Sequence, residues 1–373
     1  MKGLTFFIRI FFVLNITKLW RIDLMKKYVI FISILLAMVF VAQQVYGVSE
    51  AALLFLLISP GARPAGMGEA FVAVADDASA VFWNSAGLAY QTGRQITFMH
   101  ANWLPGLTDD LFYEFLAYKM SIEGVGTIGF NVVYLNLGKQ MRTSTTGQEL
   151  GEFNSSEYAI TASYGTTVTD DLAMGISLRF IYSNLSPVGA GTERGSGQAS
   201  GFSFDIGLLY TFPFLNRKLN WGMNVSNMGP KIAYIDESQA DPLPTNLKTG
   251  FAYKLLDQKY NKITLTADIN KLLVAPHKNG ADPFYEALIT SWYDDPVQME
   301  LDKITRSFGA EYWYSDLFAL RAGYYHDKEG KVNYISFGAG IKYSLYGFDF
   351  SYIAAKEGHP LANTMRFSLT AGF

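Results

Sequence analysis

Paired acids, histidines and glycine-rich turns are the residues of this chain whose types and spacing could do chemistry. Asp76-Asp77 and Asp294-Asp295 are adjacent carboxylates. Neighbouring side chains on a strand or helix point apart, so neither pair makes an acid/base dyad. Two roles fit Asp76-Asp77: calcium ligation, or an ion pair with Arg179 or another cation of an enclosing wall. The ion pair with the wall is the expectation. His100, His277, His326 and His359 are scattered, with no H-E-x-x-H and no i,i+4 pair, and read as surface residues. Gly195-Ser196-Gly197 has Arg194 where a G-x-S-x-G elbow needs its first glycine. Gly66-Met67-Gly68 lacks the Lys-Ser/Thr of a phosphate cradle and reads as tight packing. Cysteine is absent, which removes disulfides, thiolate metal sites and a lipid-bearing N-terminal cysteine. The expectation is a protein without catalytic residues, metal or cofactor.

Composition points the same way. The formal net charge is -3, with no basic patch to bind nucleic acid. Charged residues make up 17% of the chain, below the level of about 25% in soluble domains. Aromatics reach 15%, while mean hydropathy is only +0.12, too low for a bundle of membrane helices. Few charges, many aromatics and middling hydropathy suit a barrel whose strands alternate between lipid and lumen.

From Arg94 onward, period-two patterning predicts fourteen strands. In Leu172–Ser183, Leu172, Met174, Ile176, Leu178, Phe180 and Tyr182 alternate with Gly175, Ser177 and Arg179. In Gly201–Phe212, Phe202, Phe204, Ile206, Leu208 and Tyr210 alternate with Ser203, Asp205 and Gly207. The second face is too polar for a sandwich core and suits a wet or filled lumen. Each strand approaches the ~9–11 residues that cross an outer membrane at a tilt. Connections alternate short and long, the long ones being Leu137–Ser156, Asn184–Ser200, Ser226–Thr245 and Lys271–Thr305. Short periplasmic turns and longer external loops are the habit of such barrels, so the short set is assigned to the periplasm. Within the longest connection Pro283–Trp292 is predicted as a short helix, and the connection as a candidate partner surface. The last strand puts Met365, Phe367, Leu369, Ala371 and Phe373 on one face and stops on an aromatic. Phe367, Leu369 and Phe373 resemble the closing signal that outer-membrane barrels show to their assembly machinery.

Met25-Lys26-Lys27 and the apolar run Tyr28–Ala42 read as a signal peptide, cleaved after Gly47. Residues 1–24 are then an upstream extension, with Met25 the true start. Neither this run nor Leu4–Leu14 reaches the ~20 apolar residues of a helical span.

Between the leader and the strands lies an Ala- and Gly-rich stretch, Ser59–Tyr90, without sustained alternation. Small residues allow close backbone approach, and a segment that must fit a confined space needs them. The reading is a plug over residues 48–93 inside a barrel over 94–373. Its motifs carry a resemblance. Gly61-Ala62-Arg63-Pro64-Ala65-Gly66-Met67-Gly68-Glu69-Ala70, then Ala75-Asp76-Asp77-Ala78-Ser79-Ala80, then Trp83-Asn84-Ser85-Ala86-Gly87-Leu88-Ala89 resemble the N-terminal signature of the PorV/PorQ family. Those are outer-membrane barrels of type IX secretion, similar in architecture to the FadL fatty-acid transporters. FadL proteins share an Asn-Pro-Ala-Gly-Leu element in an N-terminal hatch; Ser85 stands at its proline. The resemblance implies hatch residues Pro64, Gly66, Met67, Gly68, Asp76, Asp77, Asn84, Ser85 and Gly87. It implies as partners outer-membrane lipid, secreted cargo C-terminal domains or other secretion components, and no nucleic acid. The alternative is a FadL-like uptake channel for hydrophobic molecules, in which Arg179 is the lumen cation for a carboxylate. The fold expectation is all-β: a fourteen-stranded antiparallel transmembrane barrel with an N-terminal plug.

Overall fold

The computed structural model describes residues 51–108, 110–144, 146–187, 196–277 and 280–373. The expected signal peptide and the expected cleavage after Gly47 lie outside the described residues. Strands form wherever apolar residues alternate with small or polar ones. They are β1 (Arg94–Asn102), β2 (Phe112–Ile122), β3 (Gly126–Thr143), β4 (Glu149–Thr167), β5 (Leu172–Ser186), β6 (Gly197–Thr211) and β7 (Leu219–Met228). The second half supplies β8 (Asn246–Asp257), β9 (Asn261–Leu272), β10 (Thr305–Tyr314), β11 (Phe318–Asp327), β12 (Val332–Tyr343), β13 (Tyr346–Ala355) and β14 (Thr364–Gly372). Each pairs antiparallel with its neighbours in sequence. β1 closes on β14 with Ile96 opposite Ala371 and Phe98 opposite Leu369, so the sheet is a closed barrel of fourteen strands. Closure leaves no unpaired edge, which a strand facing hydrocarbon requires.

The burial pattern is inverted relative to a soluble sandwich. Leu178, Phe202, Phe308, Phe337, Phe367 and Leu369 are exposed on the outside. Their neighbours Ser177, Ser203, Ser307, Ser336 and Ser368 are buried on the inside. The terminal Phe373 is exposed; its N–H donates to the Arg94 carbonyl at 3.0 Å and its carbonyl accepts from Arg94 N–H at 3.1 Å. No helix among the described residues is long and apolar enough to cross a membrane.

One long connection differs from expectation and another carries the helix expected of it. Leu137–Ser156 was expected to be a long loop. Instead β3 and β4 run 18 and 19 residues and pair as far as Thr143 and Glu149. A register shift between Asn136 and Lys139, with Gly138 at φ 71, breaks the alternation there. Only about half of each strand is needed to cross the membrane; beyond it both faces meet water and no apolar period marks the chain. In the longest connection a helix, α3, does form at Phe284–Thr290 with Pro283 as its N-cap, and α4 follows at Val297–Asp302. The first two helices, α1 (Ala62–Gly66) and α2 (Ala80–Trp83), belong to the segment that precedes the strands.

Candidate functional site in the lumen

Residues 51–93 precede the barrel and touch its inner face all the way round. Ala62 N–H donates to Ser368 Oγ of β14 at 2.9 Å, and Gly68 N–H to Ser336 Oγ of β12 at 3.0 Å. Phe71 and Val72 N–H both donate to Asp268 Oδ2 of β9, at 2.7 and 2.9 Å. Asn84 Nδ2 donates to the Leu208 carbonyl of β6 at 2.9 Å, and Tyr113 of β2 donates to the Ile58 carbonyl at 2.9 Å. A segment bonded to β2, β6, β9, β12 and β14 lies inside the ring.

Glycine makes these approaches possible on both sides of the contact. A Cβ on Gly175 would lie 2.2 Å from the Ser85 carbonyl carbon, and one on Gly323 would lie 2.0 Å from Gly68 N. Gly68 itself sits at φ +63, and its Cβ would meet Tyr324 N at 2.6 Å. Gly87 is closed in by the Ala75 carbonyl oxygen at 2.1 Å, and Gly66 by Gly338 Cα at 2.9 Å. Met67 is fully buried and packs with Phe71 and Trp83. The Pro64 carbonyl accepts from both Met67 and Glu69 N–H, closing the first turn.

Asn84 is the N-cap of a 3-10 helix over Ser85–Tyr90: its Oδ1 accepts from Ala86 N–H at 3.1 Å while Nδ2 also reaches the Val72 carbonyl at 2.9 Å. Ser85 therefore occupies the first helical position, where the N–H needs no intrahelical partner and proline is equally at home. Serine in place of proline preserves this turn.

Electrostatics fasten the segment to the wall at one side. Arg63 of α1 donates from Nε and Nη2 to the two Glu311 oxygens of β10, both at 2.8 Å. Its Nη1 reaches Asp76 at 2.6 Å and Asp77 at 3.1 Å. Glu311 also accepts from Arg321 Nε of β11 at 2.7 Å, and Arg321 Nη1 reaches Asp349 of β13 at 2.7 Å. The expected ion pair of Asp76-Asp77 with the wall is thus indirect: both acids pair with Arg63 of their own segment, because Arg63 and not Arg179 lies beside them. Calcium ligation has no support in this geometry, since a guanidinium already fills the space between the acids.

Arg179 does face inward, and it is buried and engaged. It meets Asp205 at 2.7 Å, Thr161 Oγ1 at 3.1 Å and the Asn227 side chain. A ligand carboxylate would have to displace Asp205. Sequence reading missed Asp268, Glu311, Arg321, Asp349 and Arg366. Arg366 of β14 donates to the Ser59 carbonyl and to Glu69 at 3.4 Å. The available signal was a lone charge on the polar face of an otherwise uncharged stretch of strand. Phe367, Leu369 and Phe373 point outward, away from this site.

Between the segment and β7–β11 remains a cavity of about 220 Å³, lined chiefly by polar groups including Asn224, Asn246, Asn270 and Lys248. The Lys248 ammonium stands over the Trp83 ring, 4.2 Å from its centroid.

A second charged cluster anchors the connection between β9 and β10. Lys303 Nζ lies 2.7 Å from Asp295, 3.1 Å from Glu300 and 3.9 Å from Asp294, and Lys271 Nζ lies 2.5 Å from Glu300. The three acids could approach a cation together, but the Lys303 ammonium already stands among them. Burial would raise the Glu300 carboxyl, and the hydrogen bonds from Lys271 and Lys303 outweigh it and hold the group below the usual range. Its contribution is complete above the ordinary carboxylate pKa of about 4.3 and fades only as pH falls through the depressed value. Asp294 runs the other way: burial and the adjacent Glu300 raise it against the pull of Lys303, so its contribution fades as pH rises. Glu300→Gln strands the Lys271 ammonium, which is almost wholly buried, while Lys303 keeps Asp295. Trypsin is expected to cut this connection about tenfold faster in the variant at pH 7, a local opening of roughly 1.4 kcal/mol. Unchanged digestion would show that Glu300 is not the anchor.

The architecture defines a class: a closed transmembrane β-barrel with its own leading segment bonded into the lumen. Residues 41–279 match the family model described as type IX secretion system protein PorV. The chain belongs to the PorV family, and is an outer-membrane barrel of bacterial type IX secretion. In fold it is similar to the Ralstonia pickettii toluene transporter TbuX, at 16% identity and TM-score 0.57, over 86% of this chain and 100% of that one. It is also similar to the deltaS2S3 mutant of the TodX monoaromatic hydrocarbon channel, at 15% identity and TM-score 0.51, over 84% and 97%. No curated protein matches the chain.

Proposed function

We propose that this barrel receives secreted proteins, by their C-terminal domains, or other secretion components at the outer membrane. In this reading residues 48–93 are a plug that keeps the lumen shut. The observation that supports it is the seating of the segment on wall glycines, side-chain acceptors and the Arg63–Glu311 pair around the ring. A lumen filled in this way offers no path to a folded client, so contacts fall to the rim and the outer surface. Uptake of a hydrophobic solute, suggested by the likeness in fold to transporters, fits less well. The cavity between the segment and β7–β11 sets Asn224, Asn246, Asn270 and Lys248 beside Leu56, Leu57 and Trp83, so it is no continuous apolar groove, and Arg179 is held by Asp205.

The test is a chromosomal deletion complemented with the wild-type chain. Periplasmic accumulation of cargo bearing type IX C-terminal domains is measured beside uptake of toluene and oleate. The expected result is stalled cargo with uptake unchanged. Normal secretion with lost uptake would overturn the proposal.

A further inference from the structure

Phe284 lies on the side of the wall that a loop residue bathed in water would avoid. On β6, Ser203 and Asp205 face the lumen, where Asp205 meets Arg179. Phe204 lies between them in sequence and so points outward. Its partner across the β5–β6 pair, Leu178, is exposed on the outside, as are Phe202 and the belt around them. Phe204 alone of this group is buried, and the Phe284 ring packs edge-on against it with centroids 5.8 Å apart. Phe284 opens α3, which belongs to the connection between β9 and β10. The start of α3 therefore rests on the lipid-facing surface of the barrel.

Its depth follows from register. Leu178, opposite Phe204, stands four residues along β5 from Tyr182, toward the short-turn end. At about 3.3 Å per residue and a tilt near 40°, that is roughly 10 Å below Tyr182. Phe202 lies above Phe204 and is still apolar and exposed. The contact is thus within the apolar band. The helix is fixed there from behind: Lys231 Nζ donates to the Ala281 carbonyl at 2.6 Å, Thr290 Oγ1 donates to Asp282 at 2.6 Å, and the Lys271 ammonium stands over Trp292. Ile289 and Tyr293 are each 66% exposed, more than the lipid-facing Phe202 at 56%.

We propose that α3 and the turn after it lie in the outer leaflet of the membrane, with Ile289 and Tyr293 against acyl chains. The patch is continuous with the barrel's own lipid belt through Phe204, and that continuity names lipid as its occupant. Trp292 and Tyr293 are the aromatics that settle at the headgroup boundary. Exposed Glu286 keeps the helix at that boundary, because its carboxylate must stay with headgroups and water. A connection held in lipid is not a free arm for a client, which narrows the receiving surface to the other long connections. The inference rests on the outer-membrane location and not on cargo binding.

The absence of native cysteine makes the test direct. Ile289→Cys and Tyr293→Cys are spin-labelled singly in the full barrel, reconstituted in phosphatidylethanolamine/phosphatidylglycerol vesicles. Collision with oxygen is compared with collision with a water-soluble nickel chelate. Phe202→Cys is the lipid reference and Thr146→Cys, at the tip of the β3–β4 hairpin, the water reference. Both test labels are expected to match Phe202→Cys, with oxygen dominating. Chelate access equal to that at Thr146→Cys overturns the proposal, and so does shielding from both reagents, which would mean contact between copies. Tyr285→Cys, also exposed on α3, replaces either variant that fails to give a heat-modifiable barrel.

Discussion

A valine at Gly175 is expected to unseat the leading segment and open the barrel to ions while leaving the barrel folded. Gly175 pairs with Gly165 on one side and Gly207 on the other, so three glycines form a bare row across β4, β5 and β6. The 3-10 turn Ser85–Tyr90 lies directly on that row. A Cβ at Gly175 would fall 2.2 Å from the Ser85 carbonyl carbon and 2.3 Å from Ala86 N. These are backbone atoms of a turn locked by Asn84, which holds Val72, Leu208 and Ala86 at once, so no side-chain rotation relieves the clash. The strand itself tolerates the change, since a β-branched residue suits a pleated strand. The turn must then lift away, and Asn84 loses Leu208. The measurement is current through the Gly175→Val barrel in planar bilayers. The lumen of a barrel this size conducts when unfilled, and a rise of at least about tenfold over wild type is expected. Gly347→Ala is the control, because its Cβ would meet nothing nearer than Thr370 Cβ at 3.6 Å. Unchanged current, with residues 52–90 still protected from protease, would refute the account of the seat.

The strands were legible because hydrocarbon outside and small polar residues inside impose the same two-residue period throughout. Where that contrast ends, so does the signal. At Leu137–Thr143 both faces meet water and the bulge after Asn136 shifts the phase, and the strand could not be read. The motif of the leading segment was legible from its small residues, but its partners on the wall were not. Glu311 and Arg321 are directly opposed in register, which a sequence cannot show before strands are paired. Arg321 and Asp349 are separated by a whole strand, β12, and meet across Gly340. A Cβ there would lie 2.5 Å from Asp349 Oδ1 and 2.9 Å from Arg321 Nη1. The glycine is a gap through which two charges touch, and its neighbours in sequence give no hint of them. Asp76-Asp77 was assigned to the wall because Arg63, thirteen residues earlier, was not placed beside it; the fold of the segment decides that contact.

Arg63→Ala is expected to loosen the same segment by a different route. The guanidinium joins three things: α1, the Asp76-Asp77 turn, and Glu311 on the barrel. Two arginines, Arg63 and Arg321, are set among four acids, Asp76, Asp77, Glu311 and Asp349. Removing Arg63 leaves four negative charges to one positive, and Glu311 is only 3% exposed, so water cannot replace the lost partner. Breaking one side of such a buried pair costs about 3–5 kcal/mol. The Asp76 arm, 58% exposed, adds little to that. The loss falls on the segment and not on the barrel, whose ladders close without it. Hydrogen exchange over residues 62–78 is therefore expected to quicken by about 100-fold or more, matching roughly 3 kcal/mol of local stability, while the heat-modifiable transition of the barrel stays in place. Arg63→Lys should fall between, because an ammonium cannot hold both Glu311 oxygens in a parallel pair. Glu311→Gln removes the charge that needs Arg63 and leaves Arg321 its bond to Asp349. Combined with Arg63→Ala it should recover a part of the loss, with a coupling of at least about 1 kcal/mol in the double-mutant cycle. If the two substitutions add without coupling, Arg63 acts through its packing over Phe71, 5.1 Å from the ring centroid, and the charge link between segment and wall is not what seats it.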